Sequence, residues 1–182
     1  MANSQAKLRS RSVIKRAFTS FIFIWCVCSV SFATDKLPDE FTLLHKERIG
    51  SLRIDLPEAT VKKVIPCSLK READTLWGAD GIYHQKWVFF GCGISLDMTS
   101  DKKGGPKSIF SIAVISPSIL RTQRNIQIGS SRQEVINAYR HEWNKENSMP
   151  SGSFIAGSIY GGLIFNFESN KVNRIFLGAA AE

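Results

Sequence analysis

Apolar and polar residues recur with a helical period in one short stretch of this chain, "IQIGSSRQEVINAYR" at 126–140. Ser131 stands three residues before Glu134, and this Ser-x-x-Glu pattern is a capping box, in which both side chains satisfy free backbone N–H groups. The pattern therefore predicts a helix that begins after Ser131. Three apolar residues would share one face of that helix: Val135, Ala138 and Tyr139.

A weaker copy of the same pattern, "RIDLPEATVKKVI", occurs at 53–65. Asp55 and Glu58 form the related Asp-x-x-Glu pair, and Pro57 lies in the predicted first turn, where its missing N–H costs little. Pro66 then ends the predicted helix. The apolar stripe of this copy consists of Val61, Val64 and Ile65.

Strand-like sequence follows each predicted helix. The first helix precedes "HQKWVFFGCGISLDM" and "KSIFSIAVIS", and the second precedes "GSFIAGSIYGGLIFNFESNKVNRIFLGA". In "LIFNF" successive side chains point to opposite faces of a sheet, and "ESNK" is typical of a hairpin turn. "DKKGGPK" is the corresponding, longer and basic connection in the first half. Each half is therefore predicted to be a helix followed by a meander of three or four antiparallel strands.

The two halves match in detail, which predicts an α+β fold of two tandem helix-plus-antiparallel-β-meander units. Ile54 and Val61 have the same spacing as Ile128 and Val135. We expect the first unit at 49–120 and the second at 121–182. A polar N-terminal segment at 34–48, with a short helix at its end, precedes them.

The first 33 residues are typical of a secretory signal peptide. Residues 1–16 are basic and contain no acid, residues 17–30 are apolar, and residues 31–33 supply small side chains before a cleavage point. The apolar run of roughly 15 residues is shorter than the roughly 20 that span a bilayer, so a retained membrane anchor is the less favoured alternative. Cys26 and Cys28 each follow a large residue, which disfavours lipidation. We expect export to the periplasm with no stable membrane insertion after cleavage.

Removing the leader changes the charge of the chain. The whole sequence has 24 Lys and Arg against 16 Asp and Glu, a net charge of +8. Five of the basic residues lie in the leader: Lys7, Arg9, Arg11, Lys15 and Arg16. Removing them leaves 19 basic and 16 acidic residues and a net charge of about +3. The basicity is largely an export signal, and we expect no nucleic-acid partner.

Two cysteines remain after the leader, Cys67 and Cys92. An even pair in an exported chain predicts a disulfide, and two buried free thiols are the alternative. A closed loop of this length would stabilise the fold by roughly 3–4 kcal/mol. The three histidines at 45, 84 and 141 have no zinc-ligand spacing relative to these thiols, so neither a metal nor a cofactor is expected.

The motif "IGSSRQEV", a helix, and then "YGGLIFNFESNKVNRI" resembles the repeat unit of the β-lactamase inhibitor protein. It is also similar to the small outer-membrane assembly lipoproteins of the SmpA/OmlA group. The second half, Ile126 to Gly178, carries the resemblance well, whereas the first half departs from it because Asp55 replaces the usual glycine. The resemblance implies a protein that binds another protein through a sheet face or loops, and it brings no catalytic residue. The lipoprotein branch would need a lipidated cysteine, and neither Cys26 nor Cys28 has a sequence context that fits one.

Candidate catalytic residues are few. His84, in "GIYHQKW" near Asp80, lacks a nucleophile and an oriented base in the sequence, so it is interpreted as a loop or strand-edge histidine. Arg140 and His141 are interpreted as cations at the C-terminus of the second helix. Asp97 and Asp101 are assigned to a basic turn, which does not supply the paired carboxylates of a glycosidase. No catalytic residue is assigned.

Candidate contacts to a partner are aromatic and basic, because interfaces favour Trp, Tyr and Arg as anchors and basic segments steer acidic partners. Trp77 and Tyr83 lie near the tips of a glycine-containing segment, whereas Trp87 is assigned to the core. "SDKKGGPK" is a solvated hairpin tip, a contact for an acidic partner protein, or a contact for an acidic cell-wall or lipopolysaccharide ligand. The partner-binding candidates are Trp77, Tyr83, His84, Lys102, Lys103, Lys107, Arg140 and Trp143.

These patterns favour an exported periplasmic protein that binds and inhibits another protein, as an immunity protein or an inhibitor of a cell-wall hydrolase or similar enzyme. The alternative is an envelope assembly or scaffold factor that binds outer-membrane proteins, and an enzyme of unspecified type is the third hypothesis. Fold resemblance alone does not choose among them. The identity of the partner and the oligomeric state are not specified by the sequence.

Overall fold

One antiparallel sheet of eight strands organises the computed structural model, which describes residues 41–179. The strand order is β1-β3-β4-β5-β8-β7-β6, and β2 also pairs with β3. The elements in chain order are α1 (Thr42–Lys46), α2 (Glu58–Val64), β1 (Leu69–Arg71), β2 (Thr75–Leu76), β3 (Tyr83–Phe89), β4 (Ile94–Ser100), β5 (Ser108–Ile115), α3 (Arg132–Tyr139), a 3₁₀ turn (Arg140–Glu142), β6 (Ser153–Ser158), β7 (Gly161–Glu168) and β8 (Lys171–Gly178).

Several predictions fall on residues outside the described part of the chain. These are the signal peptide at 1–33, with Cys26 and Cys28, and residues 34–40 and 180–182. The described end of the polar segment contains the short helix α1, as predicted. Within residues 41–179 no helix is both long enough and apolar enough to cross a membrane.

Helix α3 begins where the sequence predicts. Ser131 is its N-cap, and the Ser131 Oγ accepts a hydrogen bond from the Glu134 N–H at 3.3 Å. The Glu134 carboxylate in turn accepts from the Ser131 N–H at 2.6 Å, which completes the capping box. Val135 and Tyr139 are buried, so the predicted apolar face packs into the core.

The predicted cap of α2 is wrong by two residues. Pro57, rather than Asp55, is the N-cap, and no side chain caps the helix. Asp55 has a φ of 61° and its N–H donates to the Ile109 carbonyl, so it belongs to a turn that leads into the helix. The helix ends at Val64, just before Pro66, as predicted.

The main core lies between one face of the sheet and the helices. Trp87 is fully buried in it, which confirms its assignment from the sequence. Lys62 of α2 lies over the Trp87 ring at 5.4 Å, and the Tyr139 ring of α3 lies 5.2 Å from that of Phe165 on β7. Both α2 and α3 therefore pack on the same face of the sheet.

The predicted disulfide is present between Cys67 and Cys92, with the Cα atoms 6.1 Å apart. Cys67 follows α2, and Cys92 lies in the turn between β3 and β4. The bond therefore ties the end of the helix to the end of a central hairpin. An α+β fold that contains the Cys67–Cys92 disulfide is thus established for residues 41–179.

The start of α2 is joined to β5 by three backbone hydrogen bonds. The Asp55 N–H donates to the Ile109 carbonyl at 2.8 Å, and the Ile109 N–H donates to the Leu56 carbonyl at 3.1 Å. The Glu58 N–H donates to the Lys107 carbonyl at 2.8 Å. These bonds position the helix over the sheet and satisfy one of the free N–H groups at its start.

The start of α3 is joined to β8 in the same way. The Gly129 N–H donates to the Val172 carbonyl at 2.8 Å, and the Val172 N–H donates to the Ser130 carbonyl at 2.8 Å. The Arg132 N–H donates to the Asn170 carbonyl at 3.0 Å. Gly129 has a φ of 89° and occupies the place that Asp55 has in the first half.

Candidate functional site

A cleft of about 370 Å³ lies on the sheet face opposite α2 and α3. It is floored by side chains of β3, β4, β5 and β8 and bordered by the segment that contains β2. The lining residues on which its chemistry depends are Trp77, His84, Asp97, Phe110, Arg174 and Phe176. We take this cleft as the candidate functional site.

Strand alternation determines which side chains reach the cleft. Trp87 and Leu96 are cross-strand partners buried in the core. The residues next to these in each strand form a second row, in which Asp97 pairs with Lys86 on one side and with Ser111 on the other. The side chains of this row line the cleft. Because successive strand residues point to opposite faces, an apolar core row and a polar cleft row result from the same backbone.

A bulge places an aromatic ring in this cleft. The pairing of β4 and β5 shifts register between Asp97 and Met98, which leaves Phe110 without a partner on β4. The Phe110 ring meets His84 edge-on, with the ring centroids 5.0 Å apart. β-bulges commonly redirect side chains in this manner.

His84 is buried in the interior of the sheet, with 3% of its side chain exposed. In β3, His84 pairs with Thr75 of β2 on one side and with Thr99 of β4 on the other. The interpretation of His84 as a loop or strand-edge histidine is therefore wrong. The Nδ1 atom lies 2.6 Å from the Asp97 carboxylate, and the Nε2 atom lies 2.8 Å from the Asp80 carboxylate. Asp97 also lies within strand β4 rather than in a basic turn.

Both ring nitrogens of His84 are therefore occupied. Each ring nitrogen lies within hydrogen-bond distance of a carboxylate, so neither is left free to take a proton from a substrate. Burial is the largest influence on Asp80 and raises its pKa. The hydrogen bonds from His84 and from the Ile82 N–H nevertheless lower the pKa of Asp80 below its ordinary value. The Asp80–His84–Asp97 group is therefore suited to holding structure rather than to general-base catalysis.

Trp77 is held against this group. Its ring stacks on the His84 imidazole with centroids 3.6 Å apart and planes within 5° of parallel. Asp80, which anchors His84, lies in the turn that follows Trp77, and the Trp77 N–H donates to the Ile82 carbonyl at 3.0 Å. The cleft therefore has a half-buried indole wall whose position is constrained on two sides.

The structure separates the remaining aromatic candidates and Arg140 from this cleft. Tyr83 is half-buried at the start of β3, on the core side of the strand, where it pairs with Leu76. The Trp143 ring stacks on Phe154 at 5.3 Å and covers the second half of the core. Arg140 is exposed at the C-cap of α3, in agreement with its interpretation as a cation at a helix end.

The basic segment is divided by the fold. Lys102 and Lys103 are exposed in the turn between β4 and β5. Lys107 is buried, and its Nζ lies 2.9 Å from the Asp74 carboxylate and 3.2 Å from the Ser100 Oγ. Grouping Lys107 with an exposed basic surface is therefore wrong, because it neutralises a buried acid instead.

Sequence reasoning missed Phe110, Arg174 and Phe176 as functional residues. Arg174 and Phe176 alternate with the buried Ile175 and Leu177 along β8, and this alternation was a usable signal for one sheet face. The signal does not reveal the cleft, because the neighbouring side chains come from β3 and β5. Across residues 41–179, no group of three or more His, Cys, Asp or Glu side chains could hold a metal ion.

Comparisons of the chain with protein-family models, with curated proteins and with solved structures gave no match. The class of protein is accordingly defined by its own geometry. Within residues 41–179 it is an α+β protein with one antiparallel sheet, helices α2 and α3 on one face, a disulfide, and an aromatic and charged cleft on the other face.

Proposed function

We propose that this chain is an exported periplasmic protein that binds another protein through the sheet face around Trp77 and thereby inhibits it. An immunity protein or an inhibitor of a cell-wall hydrolase or similar enzyme fits this role. The main observation in support is that the Trp77 ring is held in place by stacking on His84, beside charged side chains on the sheet face opposite α2 and α3. Trp and Arg in such positions are the common anchors of protein interfaces.

The state of His84 supports binding over catalysis. A general base needs a free nitrogen within reach of a substrate proton. In this cleft Asp97 and Asp80 occupy both nitrogens, and the side chain is buried beneath Trp77. The hydrogen bonds instead fix the shape of the binding face, which reduces the entropy lost when a partner binds.

The proposal includes the tandem organisation, with units at 49–120 and 121–182. The matched hydrogen bonds at the starts of α2 and α3 support it, and so do matched bulges in the β4–β5 and β7–β8 pairs. The central pair adds a third argument, since Ile112 pairs with Leu177 and Val114 pairs with Ile175. Ile112 and Ile175 lie at the same distance from the bulge in their own strands, and so do Val114 and Leu177. Each residue therefore pairs with the counterpart of the other, which gives the β5–β8 pairing local twofold symmetry.

This arrangement also supports the proposed likeness to the β-lactamase inhibitor protein, whose two tandem units make one broad binding surface. In the present chain the sheet is continuous across β5 and β8, so residues from both proposed units line the cleft. The disulfide supports export, because such bonds persist in oxidising compartments.

The test is affinity capture with the mature protein from periplasm and culture fluid, including those of neighbouring strains. We expect one stoichiometric hydrolase or toxin, whose activity falls when the protein is added. Trp77→Ala should weaken this binding about 30-fold, the equivalent of roughly 2 kcal/mol for an interface anchor. Tyr160→Ala is the matched control, because Tyr160 is exposed in the β6–β7 turn and does not line the cleft.

A capture experiment that yields no protein would contradict the proposal. So would a partner whose binding is unchanged by Trp77→Ala, since the binding face would then lie elsewhere. Turnover of a cell-wall or ester substrate by the purified protein, abolished by His84→Ala, would replace the inhibitor by an enzyme.

One observation favours the second function, an envelope assembly or scaffold factor. Four exposed apolar side chains line adjoining concavities around the disulfide-bonded hairpin end: Val64, Phe90, Ile115 and Ile119. Clustered exposed apolar side chains mark interaction surfaces for apolar partners. An assembly factor should sediment with the envelope and capture outer-membrane proteins, whereas an inhibitor should be released by osmotic shock.

A further inference from the structure

Arg174 is an unusual member of the cleft because its charge has no acidic partner. In the part of the chain that the structure describes, no carboxylate lies within ion-pair distance of its guanidinium. Its one ring contact is with Phe176, whose centroid lies 5.0 Å from the Arg174 Cζ. Five N–H donors are thus presented from β8 toward the cleft.

Arg174 is an exposed residue, but its guanidinium lines the cleft and is partly desolvated there, which suits it to receive an anion. Burial lowers the pKa of Arg174, because the charged form loses hydration that no neighbouring acid replaces. A bound carboxylate would restore the lost interactions with two parallel hydrogen bonds. Lys86 lines the same cleft and provides a second positive charge.

The surroundings determine which anion and which neighbouring group fit. Glu72 and Asp97 also line the cleft, and their negative charge opposes a dianion more strongly than a monoanion. Trp77 and Phe176 add flat apolar surface beside the cation. A singly charged carboxylate next to an aromatic or apolar group satisfies both features better than a phosphate.

We propose that the cleft binds an aspartate or glutamate side chain of the partner protein, with its carboxylate on Arg174 and an adjacent apolar side chain against Trp77 and Phe176. The inference rests on the proposed function, since it names the chemistry of the contact on the same face. It adds a charged anchor, Arg174, to the aromatic one.

The probe is N-acetyl-Phe-Asp-amide, titrated into the mature protein and followed by ¹H–¹⁵N NMR of the tryptophan indole and arginine Nε–H signals. We expect saturable shifts of the Trp77 and Arg174 signals with a dissociation constant of about 1 mM, a weak affinity suited to one contact of an interface. The neutral N-acetyl-Phe-Asn-amide should bind about tenfold more weakly or worse, because it cannot accept charge-assisted hydrogen bonds.

Arg174→Gln should remove the preference for the acidic peptide. Arg71→Gln is the matched control, because Arg71 also lies over an aromatic ring, with its Cζ 4.5 Å from the Trp87 centroid, but on the opposite face of the sheet. A urea midpoint for each variant near that of the unmodified protein establishes that both remain folded.

Three results would overturn the inference: a flat titration to about ten times the expected dissociation constant, equal binding of the two peptides, or an unchanged preference in Arg174→Gln. Tighter binding of inorganic phosphate at matched ionic strength would overturn the choice of a carboxylate. Capture of a protein partner is a separate measurement. If capture succeeds and the peptide fails, the inference is wrong and the proposed function stands.

Discussion

The buried ion pair between Lys107 and Asp74 offers the sharpest test of the structure. Only 5% of the Lys107 side chain and 9% of the Asp74 side chain are exposed. The Asp74 carboxylate also accepts a hydrogen bond from the Gly104 N–H at 2.6 Å, and Lys107 also donates to Ser100. The pair therefore joins the segment before β2 to the β4–β5 hairpin.

Lys107→Met removes the ammonium and retains most of the aliphatic stem. Asp74 is then left as a buried carboxylate whose charge is unpaired, and breaking a buried pair from one side costs about 3–5 kcal/mol. Replacing both partners by apolar residues removes that penalty. The double variant Lys107→Met with Asp74→Leu should therefore lie within about 1 kcal/mol of the unmodified protein.

The assay is urea unfolding of the protein with its Cys67–Cys92 disulfide intact. The free energy of unfolding should fall in the single variant and recover in the double variant, with an unchanged dependence on urea. Lys62→Met is the matched control, because Lys62 forms an exposed pair with Glu58 at 3.6 Å and should cost no more than about 1 kcal/mol. A loss under 1 kcal/mol in Lys107→Met, or a double variant no better than the single one, would refute the reasoning.

Three further predictions concern stability. Hydrogen bonding to Lys107 is the largest cause of the lowered pKa of Asp74. The ionised carboxylate therefore stabilises the fold above its unfolded pKa, and this contribution is lost as acid titrates Asp74 below about pH 4. The unmodified protein should lose stability over this range, whereas Lys107→Met lacks the contribution and should not show that loss. An equal acid response in both proteins would contradict the assignment. Ser131→Ala should cost about 1 kcal/mol in urea, with faster amide exchange at the start of α3, because it removes the capping hydrogen bond. Unchanged exchange there would count against it. Replacing Cys67 and Cys92 together by serine should cost roughly 3–4 kcal/mol, and equal urea midpoints for oxidised protein and variant would exclude such a role for the bond.

Local sequence patterns predicted the start of α3 well. The capping box depends on Ser131 and Glu134, three residues apart, so the hydrogen bonds it makes can be inferred without knowledge of the rest of the fold. The predicted start of α2 is less accurate. Asp55 resembles a cap in sequence, but its backbone is held by β5, and that contact is invisible to a local pattern.

The cleft could not be predicted in the same way. His84 and Asp97 are adjacent only because β3 and β4 pair in one register, and a shift by one residue would send either side chain to the other face. Lys107 looked like part of a solvated turn for a similar reason. Its partner, Asp74, lies in the segment between β1 and β2, more than thirty residues earlier in the chain.

By itself, the sequence determined the elements that rest on short-range physics. These are the start of α3 and the alternation of core and surface residues in the strands. The disulfide between Cys67 and Cys92, which are 25 residues apart, was predictable from cysteine count rather than from local structure. Tertiary structure alone decided which polar side chains meet. Strand pairing uses backbone hydrogen bonds that almost every residue type can make, so the join between β5 and β8, which brings Arg174 into the same cleft as His84, is weakly encoded in local sequence. It is determined by the burial of the whole core.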